Sequence, residues 1–191
     1  SVWDATGAEA PVRTAARAAR LYMAAQVDSL HLGAITATDA SVAALAHGPR
    51  VAEDWLPMVR SRKYDQALKP APQKTGVMTA LAFTEKQGGT DRAATATRAE
   101  RDGVDANYRL IGHKWFVAAP MADGLITLAQ TREGLSCFLV PRFLKDGSRN
   151  AVRLIRLKDK LGGRSAAAGE IELEAATGFL LGPTGQGLQT I

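Results

Sequence analysis

Thr84-Glu85-Lys86-Gln87-Gly88-Gly89-Thr90-Asp91 follows the apolar run Met78 to Phe83, and its reading decides the rest of the chain. A hydroxyl, an acid and two adjacent glycines after a strand-like run can aim backbone N–H groups at an anionic or electron-rich ligand. The same composition also makes a plain Gly-Gly turn between strands. The flanking sequence separates the two.

On the N-terminal side the spacing is helical. From Val12 to Val27, Ala15, Ala19, Leu21, Tyr22, Ala25 and Val27 recur at three- and four-residue steps, with Arg13, Arg17 and Arg20 on the other side and Pro11 near the first turn. Thr38 or Asp39 is the expected cap of a second short helix running through Ala46 and ended by Gly48-Pro49. A third is expected from about Arg50 to Arg60, with Val51, Trp55 and Val59 on one side. The composition changes near Pro70-Ala71-Pro72.

After Gly76 the chain reads as strands: Met78 to Phe83, Ala94 to Glu100, Tyr108 to Ala118, Gly124 to Gln130, Leu135 to Arg142, Ala151 to Leu157 and Gly169 to Glu174. Asp-Gly, Arg-Glu-Gly and Lys-Asp-Gly turn signals separate them. Such a run of short strands predicts an antiparallel barrel or sandwich. No long helix alternates with the strands and no G-x-G-x-x-G opens one, which disfavours the doubly wound dinucleotide fold.

With 191 residues, 46% hydrophobic and 23% charged, the chain can bury a core and falls outside the disordered classes. No apolar run reaches the roughly 18 residues of a membrane span, and the first residues lack a signal-peptide pattern, so a cytoplasmic location is the default expectation. Cys137, flanked by strand residues, reads as a buried inert thiol. The three histidines, His31, His47 and His113, lack metal-ligand spacing. A net charge of +5 favours anionic ligands only mildly. The basic run Arg153, Arg156, Lys158, Lys160 and Arg164 is either a solvated face or a surface for phosphates of CoA or nucleic acid.

Four stretches in register carry a family resemblance. Leu81 to Glu85 with Gly88-Gly89-Thr90-Asp91, and Tyr108 to Phe116 with its Gly112-His113-Lys114-Trp115-Phe116, resemble the two signature segments of the acyl-CoA dehydrogenases. Lys158 to Ser165 is similar to the family's D-K-L-G-x-R-x-S stretch, and Leu181 to Gly187 to its glycine-rich entry into a long helix. Within the family the pattern resembles the AidB-like, alkylation-response branch, including Gly134-Leu135-Ser136-Cys137-Phe138 and Val140-Pro141-Arg142-Phe143.

That resemblance implies an α+β fold: part of an α-helical N-terminal domain over 1–72, a β-barrel flavin-binding middle domain over 73–180, and over 181–191 the start of a C-terminal helical bundle that is otherwise missing. The chain is therefore expected to be a fragment. The implied cofactor is FAD. By likeness Leu81, Phe83 and Thr84 line the isoalloxazine ring, Gly89 and Thr90 reach the ribityl-pyrophosphate portion, and Phe116, Val117 and Ala118 cover the ring face and its N5 edge. Relatives commonly carry Trp where Phe116 stands and Thr or Ser where Ala118 stands, so one side-chain hydrogen bond to flavin is lost here. Fixed donors near the ring stabilise the negative charge that reduced flavin gathers.

The implied reaction is α,β-dehydrogenation of an acyl-CoA thioester. Its base in relatives is a Glu of the C-terminal bundle; Glu85 belongs to the turn, and no catalytic residue and no metal ligand is assigned. The implied assembly is a homotetramer whose subunits complete each other's FAD sites, so the fragment alone is expected to be inactive and to hold FAD weakly. The alternative implied by the AidB likeness is a DNA-associated protein that protects against alkylation damage with little dehydrogenase activity, its DNA surface lying in the missing C-terminal part.

Overall fold

The computed structural model describes residues 9–103 and 107–191; the first eight residues of the expected helical domain and positions 104–106 lie outside it. Three helices come first, α1 (Glu9–Ala25), α2 (Leu32–Ala46) and α3 (Pro49–Val59). α1 has the expected apolar spacing, yet none of its residues is buried. An Arg17–Asp39 ion pair at 2.6 Å ties it to α2.

α2 starts at Leu32, six residues before the expected cap. A helix that is apolar on nearly every side lacks the periodicity that marks a beginning. Thr38 instead lies inside the helix, where its hydroxyl donates to Ala34 O (2.9 Å) and accepts from Thr79 N (3.1 Å), joining the helix to the first strand. α3 is as expected: Pro49 occupies its first turn and Val51, Trp55 and Val59 are buried.

Among the described residues seven strands follow: β1 (Thr79–Ala82), β2 (Arg98–Arg101), β3 (Asn107–Ala118), β4 (Gly124–Thr131), β5 (Gly134–Pro141), β6 (Val152–Leu157) and β7 (Ala168–Leu181). β2 pairs with β3, β3 with β7, β7 with β5 and β5 with β4, all antiparallel. The ring then closes from β4 to β2 through one bridge, Arg98 to Gln130. β6 lies along β7. The antiparallel expectation fails at one place: β1 and β2 both join β4 in parallel, sharing one of its edges. Alternation within a strand carries no direction, so sequence could not reveal this.

β7 continues seven residues past the expected Glu174 end, through a register shift at Ala175, whose φ is +61°. Such a bulge interrupts the two-residue period. β2 begins late because Arg92–Ala94 forms a short 3₁₀ turn, capped by the Asp91 carboxylate accepting from Ala93 N.

Tyr108, Leu110, Val117, Phe138, Val140 and Ile171 fill the barrel. A second core, with Leu45, Trp55, Ile126, Leu128, Leu139 and Leu181, joins α2 and α3 to the outer face of β4 and β5. Gly124 is required there, since a Cβ would come within 2.7 Å of the Trp55 ring. Cys137 is buried in the same core, and burial pushes its thiol up to about 12. The chain leaves β7 through Gly182 (φ +72°) into α4 (Gly187–Thr190). No described helix is long and apolar enough to cross a membrane.

Candidate functional site

The two signature segments meet. β3 is paired with β7 up to Lys114 and again from Val117, and in the gap Trp115 and Phe116 turn to the other side. There Trp115 N donates to Thr84 O at 2.8 Å and Thr84 and Phe116 form an antiparallel bridge. The root of the turn is thus hydrogen-bonded to the end of β3.

Beneath this bridge lies a buried ionic network centred on Glu85, which sequence reading placed in the turn, and Lys114, which it placed in the second signature segment. The Glu85 carboxylate, 5% exposed, accepts from Lys114 Nζ (2.6 Å), Ala96 N (2.7 Å), Thr97 N (3.1 Å), Gln87 Nε2 (2.6 Å) and the Thr97 hydroxyl. Burial pushes this carboxyl up, but the bonds from Lys114, Thr97 and Ala96 outweigh it and hold it at about 2. Lys114, fully buried, also donates to Leu128 O at 2.8 Å. Burial pulls its ammonium below the ordinary value, with Glu85 opposing. Gly112 belongs to the same device, because a Cβ there would lie 2.7 Å from Thr97 Cα. Gly112-His113-Lys114 therefore encodes a close approach and a buried cation, and a lysine inside an otherwise alternating strand, three residues after an apolar one, was the available signal.

The turn itself is held by Gly88 N donating to Glu85 O (3.2 Å) and Asp91 N to Gly88 O (2.9 Å). Gly89 has φ +52°, and nothing lies within 4 Å of where its Cβ would stand, so Gly89 and Thr90 face open space. Phe116 is 45% exposed and Ala118 is exposed beside it, while Thr84 is half-buried. Val117 points into the barrel core and is fully buried, so only its main chain can serve a ligand on this face. Leu81 and Phe83 turn to the opposite side of β1, where with Ala40, Ser41 and Ala44 of α2, Ile126, Leu188 and Arg92 they line a cleft of about 420 Å³. Of the eight predicted residues, Leu81 and Phe83 thus line the cleft, Val117 points into the core, and Thr84, Gly89, Thr90, Phe116 and Ala118 lie outside the cleft.

A larger hollow of about 590 Å³ opens between β6 and the barrel, lined by Pro120, Met121, Arg142 and Leu154 among others. None of the predicted residues lines it, and size alone is no reason to move the site there. Trp115 carries cations on its ring: Lys158 Nζ stands 3.0 Å from the centroid, Lys86 5.4 Å and Arg156 5.6 Å.

The basic run on β6 resolves into ion pairs. Arg153 binds Glu172 and Glu174 of β7, and Arg156 and Lys158 both bind Glu170, which lies beneath their side chains. Arg156 and then Lys158 hold the Glu170 carboxyl down at about 2. Lys160 donates to Ala166 O (2.6 Å), and Arg164 reaches Asp159 at 3.4 Å on the exposed loop.

The profile of the acyl-CoA dehydrogenase middle domain matches residues 80–176, the barrel and both signature segments. The chain belongs to the acyl-CoA dehydrogenase family. The N-terminal domain of the adaptive response protein AidB matches residues 1–66, which places this member of the family in the AidB-like branch. It is 50% identical over 177 residues to AidB of Escherichia coli K12, covering 92% of this chain and 32% of that protein. Among solved structures it is similar to ACDH-11 of Caenorhabditis elegans in complex with C11-CoA, at 28% identity and a TM-score of 0.83 over 100% of this chain and 33% of that one. It is also similar to apo Bd2924, with 27% identity and a TM-score of 0.69 over 85% of this chain and 33% of that one. The chain spans about a third of the length of these acyl-CoA dehydrogenase relatives.

Proposed function

We propose that the whole protein is an FAD-dependent dehydrogenase of acyl-CoA-type thioesters. In it residues 1–72 belong to a helical domain, 73–180 to a flavin-binding barrel and 181–191 to the opening of a C-terminal helical part. The observation that carries this reading is the hydrogen-bonded junction of Thr84 with Trp115 and Phe116, which fixes the turn against an exposed aromatic face.

The donor set fits FAD. Phe116 offers a flat apolar surface, the half-buried Thr84 hydroxyl and the main chain of Val117 and Ala118 offer polar contacts, and the open Gly89-Thr90 corner leaves room for a phosphate chain. When bound, FAD supplies the hydride acceptor. Leu81 and Phe83 then belong to the ligand side, where the cleft under α2 has a lining suited to an acyl chain. The complex of ACDH-11 with C11-CoA supports a thioester as the ligand class.

The α-proton needs a base from elsewhere. Glu85 is ionised but wrapped by five donors, Asp91 caps the 3₁₀ turn, and Glu170 is committed to Arg156 and Lys158. A carboxylate outside the described residues takes that role, and a neighbouring subunit of a homotetramer completes the flavin site. The other reading, a DNA-associated protective protein in the cytoplasm, draws on the AidB likeness alone. The β6 cations give it no surface, since Arg153, Arg156 and Lys158 are already matched by acids.

The chain by itself is expected to purify without stoichiometric flavin and to show no acyl-CoA-dependent reduction of a dye acceptor. An equimolar flavin spectrum or clear turnover by residues 1–191 overturns the division of labour stated here.

A further inference from the structure

Arg92 stands apart from the other arginines near the site. Among the described residues Arg92 is the one charged side chain lining the cleft under α2, in a wall that is otherwise apolar, from Leu81 and Phe83 to Leu188 and Ile191, apart from the buried Ser41. The Ser41 hydroxyl is already engaged with Thr38 O (2.7 Å) and Thr79 Oγ1 (2.6 Å), so it offers little to a ligand. The Arg92 guanidinium rests on the Phe83 ring, 5.1 Å from its centroid. Among the described residues no carboxylate pairs with it, in contrast to Arg17, Arg109, Arg153 and Arg156, each of which has an acid.

Its backbone is also fixed. The Asp91 carboxylate accepts from Ala93 N (3.0 Å), and the Arg92 carbonyl accepts from Thr95 N (3.2 Å) and from the Thr95 hydroxyl (2.7 Å). An arginine whose main chain is fixed, whose exposed guanidinium rests on an aromatic ring, and which has no carboxylate partner among the described residues presents a fork for a carboxylate or phosphate at the edge of an apolar cleft.

We infer that Arg92 recognises an anionic group on the ligand of this cleft, and so makes the site selective for acyl thioesters that carry a negative charge within reach of the cleft edge. This inference rests on the reading of the cleft as the acyl site. Two parts of such a ligand share the required chemistry, a carboxylate at the far end of the acyl chain and a phosphate of the carrier.

The test is calorimetric binding to the whole FAD-loaded protein, wild type and Arg92→Met, of octanoyl-CoA, octanoyl-pantetheine and suberyl-pantetheine. The last two lack the nucleotide phosphates, and only suberyl-pantetheine has a terminal carboxylate. Methionine keeps the stem and the contact with Phe83 while removing the charge. The expected result is a loss of about tenfold or more for a charged ligand and no change for octanoyl-pantetheine. A loss confined to suberyl-pantetheine assigns the carboxylate, and one confined to octanoyl-CoA assigns a phosphate. Arg92→Lys, which keeps the charge without the fork, should fall between the two. Equal binding of all three ligands by wild type and Arg92→Met overturns the inference and leaves the acyl-site reading standing. Failure of the wild type to bind any of them removes both.

Discussion

The Glu85–Lys114 pair and the ion pairs along β6 and β7 are built from the same kinds of side chain at similar separations. They differ in surroundings. Glu85 and Lys114 lie in the barrel wall, with every nearby donor turned toward the carboxylate. Arg153 and its partners Glu172 and Glu174 lie in water. In the interior each charge depends on its partner, because neither can be rehydrated. On the surface, solvent replaces whichever partner is lost. The contrast teaches that the charges which position this site are the concealed ones.

The strongest way to break the contrast is to strip one buried charge. Lys114→Met leaves the Glu85 carboxylate uncompensated and is expected to cost about 3–5 kcal/mol in denaturant unfolding. The double change Glu85→Gln with Lys114→Met should recover part of that loss, since the two residues act as a unit. A single variant that unfolds at the wild-type midpoint would show the pair to be idle.

Acid gives a smaller and graded effect. The Glu85 carboxyl is held at about 2 against an ordinary 4.5, so its stabilising contribution is complete above pH 4.5 and is lost as pH falls toward 2. The thermal midpoint of the wild type should decline through that window. The decline should be shallower in Glu85→Gln, and parallel slopes in the two proteins would place the acid sensitivity elsewhere.

The smallest effect belongs to the surface. Arg153→Gln removes both of its ion pairs with Glu172 and Glu174. It should move the melting temperature by no more than about two degrees, and by less still in high salt. A large shift would mean that the β6 ladder braces the barrel after all.

Much of this was legible from the residues. The alternation and turn signals gave a barrel or a sandwich, the family resemblance gave the barrel, and the spacing of Val51, Trp55 and Val59 gave α3. What escaped has physical causes. The direction in which β1 and β2 join β4 is a property of pairing, which no single strand encodes. Ala175 in a left-handed conformation breaks the period of β7, so the alternation predicts only the part of the strand before it. Glu85 stands among turn residues in the sequence, and except for Gln87 its donors, Ala96, Thr97 and Lys114, lie eleven to twenty-nine residues away. At the site, the two signature segments pointed to a shared cradle, and the fold brings them together at Thr84, Trp115 and Phe116. That Phe83 lines the α2 cleft while the main chain of Phe116 bridges Thr84 depends on the gap in β3 pairing, which only the fold supplies.

The single main-chain bridge from β2 to β4 has one more consequence. β1 ends at Ala82 and β2 begins at Arg98, so along the shared edge of β4 there is a stretch where neither strand runs. The Glu85 carboxylate, binding Ala96 N and Thr97 N, fills that stretch from the β1 side while Thr97 O accepts from Gln130 N at 2.7 Å. A side chain thus does the stitching that peptide groups do everywhere else in the ring. The cylinder has a seam, and a proton on one carboxylate is enough to loosen its thread.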